Sequence, residues 1–158
     1  MRSAAVRSNR GSLATSLRAS AWPVEKTNPT IPFWGGPTGV TDTVNQLGDV
    51  FSYGNSSLRF GIQQLKPKRG TNVQQSGSGW HYDVYTVTPG IPGDSGSAFI
   101  DDSGRAFGVL STLALAPLPA SNGVSDVSRM VAYMHAHTTL DAVTLQNGTE
   151  PFDGGRIL

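Results

Sequence analysis

Between Val50 and Leu113 the chain alternates short apolar or aromatic runs with clusters of turn-forming residues, and this spacing constrains the fold more than any other feature. The runs are Val50 to Tyr53, Leu58 to Ile62, Tyr82 to Val87, Ala98 to Ile100 and Ala106 to Leu113. Between them stand breakers such as Gly54-Asn55-Ser56-Ser57, Ser76-Gly77-Ser78-Gly79 and Asp101-Asp102-Ser103-Gly104. Runs this short suit strands, and breakers this frequent leave no room for a helical bundle. Composition agrees: 19 Gly and 10 Pro accompany a charged fraction of 15% in 158 residues, against roughly 25% charged in an ordinary soluble domain. The expected fold is all-β, an antiparallel β-barrel or sandwich with one C-terminal helix. Asp101 to Gly104 is expected to turn a hairpin that makes Ala98 and Gly108 near neighbours.

The helix is expected where Val127, Met130, Val131 and Met134 fall at i, i+3, i+4 and i+7, with Asp126 at the end where the helix dipole favours negative charge. Its stripe should lie on the barrel, with His135 and His137 in its last turn. Two residues apart, these histidines point to different sides, so they do not read as a zinc site.

Several function classes fall away at this level. Lys and Arg total 12 against 11 Asp and Glu, a formal charge of +1, so no basic field argues for nucleic acid or an anionic membrane. The longest apolar runs, Phe107 to Leu110 and Leu113 to Pro117, fall far short of the ~20 residues of a membrane-spanning helix. No cysteine is present, which excludes disulfides, thiolate metal sites and thiol nucleophiles; no cofactor or metal is expected. Residues 1–20 carry Arg2, Arg7, Arg10 and Arg18 but no acid and no secretory apolar region. They read as a disordered or artefactual extension, with an organelle transit peptide as the alternative. Residues 21–158 form the domain.

Chemistry concentrates in Pro89-Gly90-Ile91-Pro92-Gly93-Asp94-Ser95-Gly96-Ser97-Ala98-Phe99. A serine on a glycine-bounded turn can expose its hydroxyl while neighbouring N–H groups gather into an anion hole; the same four residues also make an ordinary turn. The G-x-S-x-G elbow of the α/β-hydrolases fails, because position 97 is Ser and no strand-then-helix context surrounds it.

The segment Gly93 to Ala98, followed by a strand, a hairpin and Gly108-Val109-Leu110-Ser111-Thr112, resembles the C-terminal barrel of chymotrypsin-like serine proteases of the bacterial secreted kind. Asn122-Gly123-Val124-Ser125-Asp126-Val127 is similar to that family's closing strand and helix, and the likeness covers residues 28 to 153. It implies a serine endopeptidase with Ser95 as nucleophile and the backbone N–H groups of Gly93 and Ser95 as oxyanion hole. Asp94 would be structural, its carboxylate meeting a buried positive group such as a processed N-terminus. Ser111, Thr112 and Leu113 would pair with substrate backbone, and Thr88 to Pro92 with Gly123 would wall the specificity pocket. No acid precedes Asp94 in that loop, so nothing supports a preference for Lys or Arg. The family also implies an extracellular location, which no signal peptide in this sequence accompanies.

The resemblance leaves the family's His and Asp unassigned. His81, the sole histidine before Ser95, stands in Trp80-His81-Tyr82-Asp83-Val84-Tyr85 and reads as a strand histidine. The chain is therefore expected to supply one barrel of two, a truncated protease whose partner would be a separate first-barrel segment. The alternative is a non-catalytic peptide-binding module that takes a polypeptide ligand by β-augmentation along Ser111 to Leu113.

Overall fold

The computed structural model describes residues 6–7, 28–114, 121–139 and 143–157. Its strands are β1 (Val6–Arg7), β2 (Gly39–Val40), β3 (Asp49–Tyr53), β4 (Pro67–Gln75), β5 (His81–Thr86), β6 (Ala98–Asp101), β7 (Arg105–Ala114), β8 (Ser121–Asp126) and β9 (Thr144–Leu145), with one helix, α1 (Val127–His137), between β8 and β9. Six of them close an antiparallel barrel in the order β7-β6-β3-β4-β5-β8, β8 returning to β7. Closure leaves few sheet edges free to pair with other chains. β2 adds to β7 in parallel at Gly39 opposite Arg105, and β1 pairs with β9, Val6 facing Leu145. The remainder of the 1–20 extension and residues 115–120 lie outside the described residues.

Alternation along the strands explains why the apolar runs are continuous. Val50, Phe99 and Phe107 join Tyr82, Val84, Leu110 and Val124 inside the barrel. Their sequence neighbours Phe51, Ile100 and Ala106 point to the opposite face, where Ile31, Trp34 and Phe152 cover them. Both faces of this part of the sheet are thus buried, the inner by the barrel itself and the outer by segments before β2 and after β9. Trp34 fixes that outer layer, its ring edge-on to Phe51 at 4.9 Å and its indole N–H donating to the Ser52 carbonyl at 2.8 Å.

The β6–β7 hairpin forms as expected, with Gly104 at φ +75° and Phe99 opposite Gly108. Two expectations need correction. Leu58 to Ile62 is not a strand: Ser56 caps a 3₁₀ turn by accepting the Leu58 N–H at 3.1 Å, and Phe60 and Gly61 then adopt positive φ, which breaks extension. The stripe of α1 is only partly covered. Asp126 caps the helix and Val127 is buried, but Val131 and Met134 are half-buried and Met130 is 44% exposed, because the helix leans on β7 and β8 by its first turn. Among the described residues, no helix is long and apolar enough to cross a membrane.

Candidate functional site

The loop from Val87 to Ser97 joins β5 to β6, and its shape follows from backbone bonds. The Asp94 N–H donates to the Ile91 carbonyl at 2.9 Å and the Ser97 N–H to the Asp94 carbonyl at 3.0 Å, while Gly96 N–H reaches Leu110 O at 2.8 Å. Gly93 sits at φ +95°, where a Cβ would come within 2.8 Å of Ser56 Oγ; position 93 therefore needs glycine on both conformational and steric grounds. Gly90 is held from behind by Asn122, whose buried amide oxygen accepts its N–H at 2.7 Å.

Beneath this turn lies a buried ionic cluster. Asp94 is 1% exposed, and its carboxylate takes Arg59 Nη2, Lys68 Nζ at 3.0 Å, and the Ser56 N–H at 3.0 Å. The cations also tie down the loop's carbonyls: Arg59 donates to Pro89 O at 2.9 Å, and Lys68 to Pro89 O at 3.1 Å and Thr88 O at 3.4 Å. Burial works against the Asp94 charge, but the hydrogen bonds from Arg59 and Lys68 outweigh it and hold the carboxyl below its usual range. For Lys68 burial wins over the pull of Asp94, so its ammonium lies below the usual lysine range. The positive group that meets Asp94 is thus a pair of side chains, one from the 3₁₀ turn Ser57–Arg59 and one from β4.

Ser95 is exposed and stands on the wall of a groove of about 270 Å³. Gly90, Ile91 and Pro92 form one side and Leu110 to Leu113 the other. β7 is irregular there. Its last ladder pair with β6 is Val109 with Ala98, after which Leu110 bonds to Ser97; towards β8, a bulge makes Ser111 the extra residue between Leu110 and Thr112. Ser111 Oγ donates to the Gly123 carbonyl at 3.0 Å, pinning the bulge. Residues 111 to 114 therefore pair with β8 on one edge, and among the described residues no strand pairs with the other. Ser111, Thr112 and Leu113 are all exposed along it.

Two further observations define the chemistry. Among the described residues, neither the N–H of Gly93 nor that of Ser95 donates to any group, and Ser95 Oγ has no hydrogen-bond partner. The sign change in φ between Gly93 and Asp94 is the backbone pattern that turns successive N–H groups towards one side as an anion-binding nest. The three histidines are elsewhere. His81 is exposed on β5 opposite Ser125, His135 Nε2 lies 3.1 Å from the Val143 carbonyl, and His137 stacks on Tyr133 at 3.9 Å. No cluster of three or more His, Cys, Asp or Glu able to hold a metal occurs among the described residues.

Arg59, Lys68 and Asn122 are parts of this site that local sequence reading misses. Arg59 lies inside an apolar run and Lys68 inside a polar one, and neither neighbourhood marks a buried cation. The resemblance alone implies a buried positive group against Asp94, without saying which residues supply it. No protein-family model matches the chain, and no curated protein matches it.

Proposed function

We propose that this barrel binds an extended polypeptide along the free edge of β7 and that Ser95 is the nucleophile half of a chymotrypsin-like serine endopeptidase site. The observation that carries the reading is the position of Ser95 on the groove wall across from Ser111 to Leu113, with the Gly93 and Ser95 N–H groups unused. A peptide paired with β7 would bring a carbonyl carbon to Ser95 Oγ. Attack would then place the developing oxyanion on the two N–H groups. Asp94, clamped by Arg59 and Lys68, serves this by fixing the turn that holds them. The general base and its orienting acid come from outside the described residues, in a partner barrel. Loss of the histidine alone costs a serine protease with the same triad on an unrelated fold about 10⁶ in kcat, so the isolated chain turns over peptides negligibly.

A second reading, a peptide-binding module without hydrolysis, is favoured by one observation: among the described residues Ser95 Oγ has no partner, and no histidine contacts it. A fluorophosphonate probe and a fluorescent extended peptide, each applied to the chain and to Ser95→Ala, separate the two. Labelling at Ser95 that requires added imidazole, standing in for the absent general base, supports the nucleophile. Peptide binding that persists in Ser95→Ala, without labelling of the parent chain, supports the module. Absence of both labelling and peptide binding removes the function from this groove.

A further inference from the structure

We infer that the Ser95 groove reads the free C-terminus of a polypeptide, one that ends in an uncharged apolar residue. The terminal carboxylate would rest on the N–H groups of Gly93 and Ser95, the last side chain would enter the groove between Pro92 and Leu110, and the preceding residues would extend β7's sheet. The inference rests on the second of the two readings, binding of peptide to the β7 edge without hydrolysis, and adds to it the chemistry of the peptide's end.

Three features point to a carboxylate rather than to an internal carbonyl. The first is the donor set: two backbone N–H groups, those of Gly93 at positive φ and of Ser95, which meet no acceptor among the described residues, form the kind of nest that captures terminal carboxylates. The second is charge. The buried cluster under the turn sets two cations, Arg59 and Lys68, against the single carboxylate of Asp94, and the Arg59 Nε–H has no partner among the described residues. A surplus of buried positive charge below a pair of N–H donors favours an anion above them far more than a neutral carbonyl. The third is the serine itself. A hydroxyl with no base in contact adds a neutral donor to the same anion, which requires no proton transfer.

The nature of the last side chain follows from the walls. Ile91, Pro92, Leu110 and Leu113 present carbon, and none of the residues lining the groove carries a charge. A lysine, arginine or acidic side chain would lose its hydration there without a partner.

The test compares one peptide in three forms, ending in leucine with a free carboxylate, ending in leucine carboxamide, and extended by two residues beyond the leucine. Binding to the whole 158-residue chain is followed by fluorescence anisotropy, and the backbone amide resonances of Gly93 and Ser95 are followed by NMR. The expected result is at least a tenfold lower Kd for the free acid than for either other form, with downfield movement of both amide protons only on adding the acid. A terminal lysine in place of leucine abolishes the advantage, and Lys68→Met narrows the acid-to-amide ratio. Equal affinity for all three forms overturns the carboxylate assignment and leaves the edge-binding reading standing. Failure of all three to bind overturns both. The amide resonances need no variant, so the conclusion survives even where Lys68→Met fails to fold.

Discussion

The barrel buries two regions by opposite means. Tyr82, Val84, Phe99, Phe107, Leu110 and Val124 fill its interior with carbon and need little from one another beyond fit, whereas Arg59, Asp94 and Lys68 bury three formal charges under the Ser95 turn. In the first region each side chain is stabilised by leaving water, and loss of one leaves the others content. In the second, every member loses hydration and is retained only through its partners. The carbon core gives stability without specifying the loop. The ionic cluster gives little net stability but fixes where Thr88, Pro89 and Asp94 lie, because each cation holds a loop carbonyl as well as the carboxylate. Shape at the site is thus held by the more fragile of the two regions.

The largest break in that comparison is Asp94→Ala. It strands Arg59 and Lys68 in the interior, and removal of one partner from a buried pair costs about 3–5 kcal/mol. Urea denaturation should show that loss, together with a shifted Ser95 amide resonance. A cost like that of an exposed aspartate would mean that the cluster is solvated and the comparison fails.

Next in size is a pH effect of opposite sign in the two regions. The Asp94 carboxyl is lowered from 3.8 on folding, so its contribution is present above that value and is lost as pH falls through the lower folded pKa. Tyr82 is the titratable member of the carbon core. Burial, and secondarily Asp126, pushes its hydroxyl from 10.0 up to about 12. Its contribution is complete below pH 10 and is lost as pH rises to 12, an interval worth about 2–3 kcal/mol. The ionic region should fail in acid and the core in alkali. Tyr82→Phe removes the alkaline loss; an unchanged alkaline limb in that variant would show that another group titrates.

This division also marks what could be read in the sequence. Most strands, the hairpin and the helix were legible because period, breaker and cap act locally: Gly104 in its turn and Asp126 before Val127 each announce themselves within four residues. The Ser95 turn was legible for the same reason. The 3₁₀ turn at Ser57–Arg59 was not, since Leu58 to Ile62 carries strand-like residues and only the serine cap and two positive φ values override them. Arg59 and Lys68 were invisible as site residues. Their burial depends on Asp94, 35 and 26 positions further along, and a long-range ion pair leaves no periodic trace. That no described strand lies beside the outer edge of residues 111 to 114 is likewise set by where β6 begins, not by β7's own residues.

A smaller test concerns the junction of barrel and helix. Asp126 accepts the Arg129 N–H at 3.0 Å and the Ser128 hydroxyl at 2.6 Å, and it faces the Tyr82 hydroxyl at 3.3 Å. Asp126→Ala removes an N-cap, for which about 1–2 kcal/mol is expected, and leaves Tyr82 bonded to the Asp42 carbonyl alone. Loss of helical circular dichroism before the barrel unfolds is the signature. Coincident loss of both, at the parent midpoint, would mean that the cap contributes nothing.

The least costly substitution should be at an ion pair with the same chemistry as the buried cluster but with solvent access. Asp49 and Arg69 meet at 2.7 Å across β3 and β4 with side chains 48% and 43% exposed. Water already satisfies both charges, so Asp49→Ala is expected to cost about 0.2–1 kcal/mol, less in high salt. Arg69 also lies over the Phe51 ring at 5.4 Å, a contact that persists without Asp49 and adds about 0.5–1 kcal/mol to the cost of Arg69→Ala. The two single variants should therefore differ, with only the Asp49 loss vanishing in salt. Equal and salt-independent costs would mean that this pair behaves as a buried one, and that exposure is not what separates it from Asp94.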